Sequence, residues 1–279
     1  MIDFIGVGAQ KSGTSWAYAC LYEHPEICAP IKEIHFFSRE RFSKGLLWYE
    51  AHFTRCKPNT KCGEFSTSYL YSVDAPEHIH ASYPEVKIIA ILRNPITRAI
   101  SQYGNAIKAG EIKEAMSFET YMQTEPSVLE QGLYARQLTR YLSHFNRSHM
   151  CILIYEDIKK DPKKFMRDIF AFLDVDQQFT PSMLGDSINV ARIPKHVFIE
   201  QVMHRCSEFL RKHGRDRLVH IVRQSGIPDR IRNINTKEKK KKELECDHTF
   251  LSSYFKEDVE ELSKILDRDL IHEWGITKN

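Results

Sequence analysis

The 279-residue chain contains no run of eighteen apolar residues, and so nothing that reads as a membrane-spanning helix. Its first residues lack a basic stretch followed by an apolar one, so neither an anchor nor a signal peptide is expected in this chain. No Cys-x-x-Cys pair occurs among the seven cysteines, and their spacing suits neither a zinc site nor a disulfide framework. A bridge between Cys56 and Cys62 across a short loop is the one pairing left open, and a reducing compartment is the simpler reading. Cys151, inside an apolar stretch, reads as a small core residue. Excess charge is also lacking. The net +3 is too little for a polyelectrolyte binder, and no base-reading or aromatic-interleaved motif points to nucleic acid. What is present, 42% hydrophobic residues over this length, is enough for a proper core.

The most informative stretch is Phe4-Ile5-Gly6-Val7-Gly8-Ala9-Gln10-Lys11-Ser12-Gly13-Thr14-Ser15-Trp16. An apolar run enters a glycine-containing turn and then a helical pattern from Ala17 to Tyr22. Such a strand, loop and helix turn backbone N–H groups toward one point at a helix N-terminus, where an anion is favoured. Gly8 and Gly13 are read as clearing space for the anion, Lys11 as a mobile charge, and Ser12, Thr14 and Ser15 as hydroxyl donors. The Walker spacing fails, because Lys11 precedes Gly13. The dinucleotide fingerprint fails as well, because Lys11 stands near where its third glycine belongs. The ligand expected is a phosphate or a group shaped like one, and a plain connecting turn is the alternative.

Further along, Lys32-Glu33-Ile34-His35-Phe36-Phe37 suits a wall that is half core and half cleft, or equally a core pair flanked by solvated charges. Leu46 to Phe53 resembles a short amphipathic helix. Lys61 to Leu70 begins as a strand and ends in hydroxyl residues. There Glu64, at a strand exit facing the lysine-bearing loop, is placed to act as a general base, a solvated side chain being the other reading. Val86 to Leu92 reads as a buried parallel strand. Asn94 and Pro95 then cap and open a helix. Arg93 thus falls at a strand's carboxyl end, suited to gripping a phosphate, and Ser101 two turns onward adds a hydroxyl. His149 to Tyr155 is a further strand, followed by a helix from Asp161-Pro162 with Phe165, Ile169, Phe172 and Leu173 as its apolar stripe. Residues 189–195 read as a loop whose Arg192 and Lys195 are able to close over a nucleotide, ahead of a helix around Phe198 to Arg211. Residues 225–245, with the run Lys237 to Lys242, read as a mobile basic loop. A helix over 254–274 closes the chain. Strands alternating with helices predict an α/β fold: one P-loop-like parallel sheet flanked by helices on both faces, in a single domain.

Taken together, Gly8-Ala9-Gln10-Lys11-Ser12-Gly13-Thr14-Ser15, Arg93-Asn94-Pro95 through Ser101, Lys32 to Phe37, and Glu64-Phe65-Ser66-Thr67-Ser68-Tyr69 resemble the family of sulfotransferases that use 3'-phosphoadenosine 5'-phosphosulfate (PAPS). The likeness is strongest to its heparan sulfate (glucosaminyl) branch and bacterial relatives, and it covers roughly residues 2 to 200. It implies transfer of a sulfuryl group from PAPS to an acceptor hydroxyl, leaving 3',5'-ADP, with no metal. Lys11 would hold the bridging oxygen of the departing phosphate, and Ser12, Gly13, Thr14 and Ser15 its other oxygens. Arg93 and Ser101 would hold the 3'-phosphate, with Trp16 beside the nucleotide and Arg192 and Lys195 completing the site. Glu64 would be the base, with His35 in reserve, and Lys32, His35, Phe36 and Tyr69 would face the acceptor. A glycan is the first-choice acceptor, with a lipid, polyketide or other small-molecule alcohol behind it. An atypical P-loop kinase and a non-catalytic glycan-binding module are the competing classes. A cytoplasmic setting is expected, with a lumenal Golgi catalytic domain as the alternative.

Overall fold

In the computed structural model the described residues are 2–38, 40–113, 115–185, 192–194, 236–238 and 248–276. The elements are, in order, β1 (Phe4–Gly8), α1 (Thr14–Glu23), β2 (Ile27–Cys28), α2 (Leu46–Glu50), β3 (Lys61–Phe65), α3 (Ala75–Ser82), β4 (Lys87–Leu92), α4 (Pro95–Ala109), α5 (Phe118–Thr124), α6 (Ser127–Glu130), α7 (Tyr134–Leu142), β5 (Met150–Ile154), α8 (Tyr155–Lys160), α9 (Pro162–Leu173), β6 (Arg192–Pro194), β7 (Thr236–Glu238), α10 (His248–Leu266) and α11 (Leu270–Trp274). By compactness the chain divides into two units, one of Met1–Ala99, Ser127–Asp186 and Asp247–Asn279, the other of Ile100–Pro126 and Ser187–Cys246.

The first unit is built on a five-stranded sheet in the order β2-β3-β1-β4-β5, parallel throughout and flanked by helices. Sequence and position agree. Every residue of β1 is buried, as is all of β4 after Lys87, a run of Ile-Ile-Ala-Ile-Leu; interior parallel strands need apolar side chains on both faces. The edge strand β5 is buried only at its ends. Between β1 and β3 the packing is reciprocal. A Cβ on Gly63 would come within 2.6 Å of the Phe4 ring, and one on Gly6 within 2.1 Å of the Phe65 ring, so each ring lies across a neighbour that has no side chain.

The helices obey their local signals. Asn94 Oδ1 accepts from the amides of Ile96 (3.0 Å) and Thr97 (3.2 Å), and Asp161 Oδ1 accepts from Lys164 N (2.8 Å) ahead of α9, each satisfying an amide with no partner inside the helix. Asp258 on α10 caps α7 through the amides of Ala135 (2.9 Å) and Arg136 (3.0 Å). The closing helix is two helices, α10 and α11. Arg268, in the break, binds Asp157 (2.5 Å) and Glu273 (2.6 Å). In the second unit, Tyr103 packs against Phe118 and Tyr121.

Three expectations change. Residues 192–194, read as loop, form β6, and Thr236–Glu238, within the stretch read as mobile, forms β7, its antiparallel partner. The helix expected around Phe198 to Arg211 lies outside the described residues. Cys56 bonds to Cys28 rather than Cys62. The spacing left only the nearer pair open, with free thiols the simpler expectation, but β2 lies beside β3 with Cys28 in register with Cys62, and the chain after α2 returns to that edge. The three sulfurs lie within 4.8 Å of one another. Among the described residues, no helix is long and apolar enough to cross a membrane.

The Cys28–Cys56 bond closes a span of 28 residues, worth roughly 3 to 4 kcal/mol by loop entropy. Peptide mapping without reduction is expected to recover Cys28 and Cys56 linked and Cys62 free to alkylate. Replacing both linked cysteines by alanine should lower the denaturation midpoint. A recovered Cys56–Cys62 link would contradict the register of β2 against β3.

Candidate active site

Residues 9–13 lead from β1 into α1. The backbone is in the left-handed or a related region at Gly8 (φ 147°), Lys11 (φ 67°) and Gly13 (φ 81°), which only glycine adopts at low cost. Ala9 N donates to Ile91 O (2.8 Å) and Leu70 N to Val7 O (2.9 Å), tying the strand exit to both flanks. The glycines have a different task from the one read in the sequence. A Cβ on Gly13 would lie 2.8 Å from the Tyr155 ring, and one on Gly8 3.0 Å from Leu70 Cβ and 3.2 Å from the Thr67 carbonyl. Protein, not ligand, takes that space.

The loop nonetheless has the donors an anion needs. Among the described residues no side chain caps α1, where Gly13 stands at the cap position, and its first amides have no partner inside the helix. Among the described residues Ser12 Oγ, fully buried, makes no well-formed hydrogen bond, and its polar neighbour is the buried Tyr134 hydroxyl. Lys11 is half-buried, Thr14 buried and Ser15 exposed. An orphaned hydroxyl, an uncapped helix and a lysine at one turn fit the phosphosulfate end of PAPS.

At the β4 exit, Arg93 Nη1 donates to Lys11 O (3.0 Å) and Nε to Thr97 Oγ1 (2.9 Å), and the guanidinium lies 4.7 Å from the Tyr155 ring centroid. Arg93 thus joins the second motif to the first. Ser101, further along α4, and Arg192, in β6, belong to the second unit, and Lys195 lies outside the described residues. The nucleotide contacts expected of these three remain proposals.

Four assignments need correction. Trp16 is buried edge-on against Phe165, so its ring is core rather than a platform beside the nucleotide. Phe36 is fully buried among Phe37, Phe42, Trp48 and Tyr49. Tyr69 is fully buried as well, and neither can face an acceptor. Glu64, the expected base, has no exposed surface. Its carboxyl accepts from Ser66 Oγ and from the Tyr69 hydroxyl, both at 2.7 Å. Burial pushes it up to about 8, against the bonds from Ser66 and Tyr69 and with the nearby Glu33 charge adding to the rise. A carboxyl sealed in this way has no path to a substrate proton.

Another carboxylate, that of Glu33, lies beside the same strand end and is not sealed. Residues 32–37 cross the end of β3, with Lys32 bridged to Phe65 and Glu33 N donating to Phe65 O (2.7 Å). Glu33 (φ 65°) and His35 (φ 55°) are both left-handed. The Glu33 side chain, 17% exposed, meets Lys32 Nζ at 2.6 Å and His35 Nε2 at 3.2 Å, and accepts from Thr67 N at 3.0 Å. Burial by itself would raise its carboxyl. The charges of Lys32 and His35, with the bonds from Lys32 and the Thr67 amide, outweigh burial and hold it below the ordinary range. Thr67 is the residue whose carbonyl abuts Gly8, so one residue links Glu33 to the anion loop. Of the residues expected at the acceptor, Lys32 and His35 lie half-buried beside Glu33, and His35 Nδ1 is bonded to Ser68 Oγ (2.7 Å).

Residues 2–200 match the sulfotransferase domain family. This chain belongs to the sulfotransferase family. Human heparan sulfate glucosamine 3-O-sulfotransferase 6 is 35% identical over 162 residues, 56% of this chain and 47% of that protein. Mouse bifunctional heparan sulfate N-deacetylase/N-sulfotransferase 4 is 29% identical over 202 residues, 64% of this chain and 23% of that protein. The chain therefore spans about half or less of these curated relatives. Among solved structures, a sulfotransferase from Alicyclobacillus acidocaldarius matches with a TM-score of 0.69 at 25% identity over 98% of both chains. For a sulfotransferase-family chain, the residue that sequence reasoning passed over is Glu33. Its signal was the Lys-Glu-x-His pattern itself, a lysine and a histidine bracketing one acid ahead of two buried rings.

The state of Glu64 is measurable. The native fold holds a proton there that the unfolded chain, at an ordinary 4.5, releases, so this group favours the fold most in acid and less as pH rises from about 5 to 8, by at most about 1.4 kcal/mol per pH unit. In urea titrations the stability of the native protein relative to Glu64→Gln is expected to fall over that window. A difference that is constant or grows with pH contradicts a buried neutral carboxyl.

Proposed function

We propose that this chain transfers a sulfuryl group from PAPS to a hydroxyl of a carbohydrate acceptor, with Glu33 as the general base. The observation that carries the reading is the pairing, at adjoining strand ends, of an anion loop with an orphaned buried hydroxyl and a part-exposed, ionised carboxylate bracketed by Lys32 and His35. The family and the heparan sulfate enzymes among its relatives support the carbohydrate part.

In this reading Glu33 takes the acceptor's hydroxyl proton as the oxygen attacks sulfur in line with the departing phosphate. A new S–O bond forms, the bond to the phosphate breaks, and 3',5'-ADP leaves. Charge grows on the departing oxygen, so Lys11, Ser12 and the first amides of α1 contribute through position and electrostatics rather than covalent chemistry. Arg93 takes the 3'-phosphate side. Lys32 and His35 face the acceptor and keep Glu33 ionised.

Transfer of labelled sulfate from PAPS to N-sulfated heparan oligosaccharides, with a panel of simple alcohols alongside, tests the reading. Glu33→Gln should keep 3',5'-ADP binding and lose turnover by about a hundredfold or more. Lys11→Ala should weaken both binding and rate. Near-normal turnover in Glu33→Gln would remove it as base, and ATP binding that depends on Mg²⁺ in place of 3',5'-ADP binding would favour a kinase.

A further inference from the structure

Glu64 is withdrawn from the acceptor, yet its surroundings are built with care. Ser66 Oγ donates to one of its oxygens and Tyr69 OH to the other, both at 2.7 Å. Each hydroxyl is at the same time an acceptor: Ser66 Oγ takes the amide of His35 and Tyr69 OH the amide of Phe36, both at 2.8 Å. A hydroxyl that has accepted an N–H must still place its own proton, and for buried groups an unplaced one is costly. Two hydroxyls facing one carboxyl solve that together, while the neutral carboxyl's own proton has the buried Tyr49 hydroxyl beside it as acceptor. The orientation of both is therefore set by Glu64, and both hold the backbone on which Glu33 and His35 stand.

That backbone needs holding. Left-handed conformations are unfavourable at non-glycine residues, and Glu33 and His35 both adopt them with one residue between. The two departures bring His35 Nε2 and Glu33 Oε2 to 3.2 Å. What offsets them is the row of bonds along the segment: Glu33 N to Phe65 O, His35 N to Ser66, Phe36 N to Tyr69, and Arg41 to Ile34 O at 2.8 Å. Two of these four end, one step on, at the same carboxyl.

From this relay we infer that Glu64 is a positioning residue, which through Ser66 and Tyr69 pins the His35 and Phe36 amides and so aims Glu33 and His35 at the acceptor. The inference rests on Glu33 as base for its catalytic consequence, but the relay is testable without turnover. Hydrogen exchange on the full chain reads the two amides directly. Glu64→Ala is expected to speed exchange at residues 35 and 36 by at least about tenfold, with the amides of β1 and β4 unchanged. Ser66→Ala should release residue 35 alone and Tyr69→Phe residue 36 alone, which keeps the test decisive if Glu64→Ala does not fold. Glu64→Gln, which retains the shape and an acceptor, should fall between the native protein and Glu64→Ala. In the PAPS and heparan oligosaccharide assay these variants should lower kcat with 3',5'-ADP affinity within about twofold of native. Unchanged protection at residues 35 and 36, or protection lost equally across β1 and β4, would overturn the relay. Glu33→Gln separates the two readings. Full turnover with residues 35 and 36 still protected would sink the base assignment and leave the relay standing.

Discussion

Strand β1 is hydrogen-bonded along both edges, to β3 on one side and β4 on the other, and this double pairing is why three remote stretches of chain end at one place. In a parallel sheet all carboxyl ends point the same way, so the loop after β1, the hydroxyl segment after β3 and Arg93 after β4 are delivered together. The pairing is tight because rings cover glycines across it, Phe4 over Gly63 and Phe65 over Gly6. Little freedom is left for the strands to slide, and so for the loop between them to drift.

Around that frame the two carboxylates of the region separate by environment. Glu33 and Glu64 both sit near the end of β3, yet one is held ionised by Lys32, His35 and a backbone amide and the other is held neutral by burial. Neighbouring acids pushed in opposite directions divide the work between them. In the function proposed above, the ionised, part-exposed one takes the acceptor proton and the sealed one holds its surroundings in shape. The charge of Glu33 itself contributes to keeping Glu64 protonated, so the two states reinforce each other.

Much of the fold was legible in the chain. The apolar runs at Phe4 to Gly8 and Lys87 to Leu92 lie where interior strands lie, and Asn94-Pro95 and Asp161-Pro162 open helices as their chemistry requires. The anion loop was legible because Lys11, Ser12 and Gly13 are consecutive and local geometry does the rest. Errors fell on residues whose role depends on what faces them. Phe36, Tyr69 and Trp16 have the composition of a cleft wall but are taken up by the core. Cys56 finds Cys28 because strand register, not separation along the chain, decides which sulfurs meet.

Sequence by itself determined the alternation of strands and helices, the family, and the presence of a phosphate-type loop, because each depends on residues close together in the chain. Which glutamate is open to substrate and which is sealed was decided only by the tertiary structure. Glu33 and Glu64 are thirty-one positions apart, and both look like charged residues in polar company. Only when the segment carrying Glu33 crosses the end of β3 does one carboxylate acquire Lys32, His35 and Thr67 as partners, while the other closes over Ser66 and Tyr69.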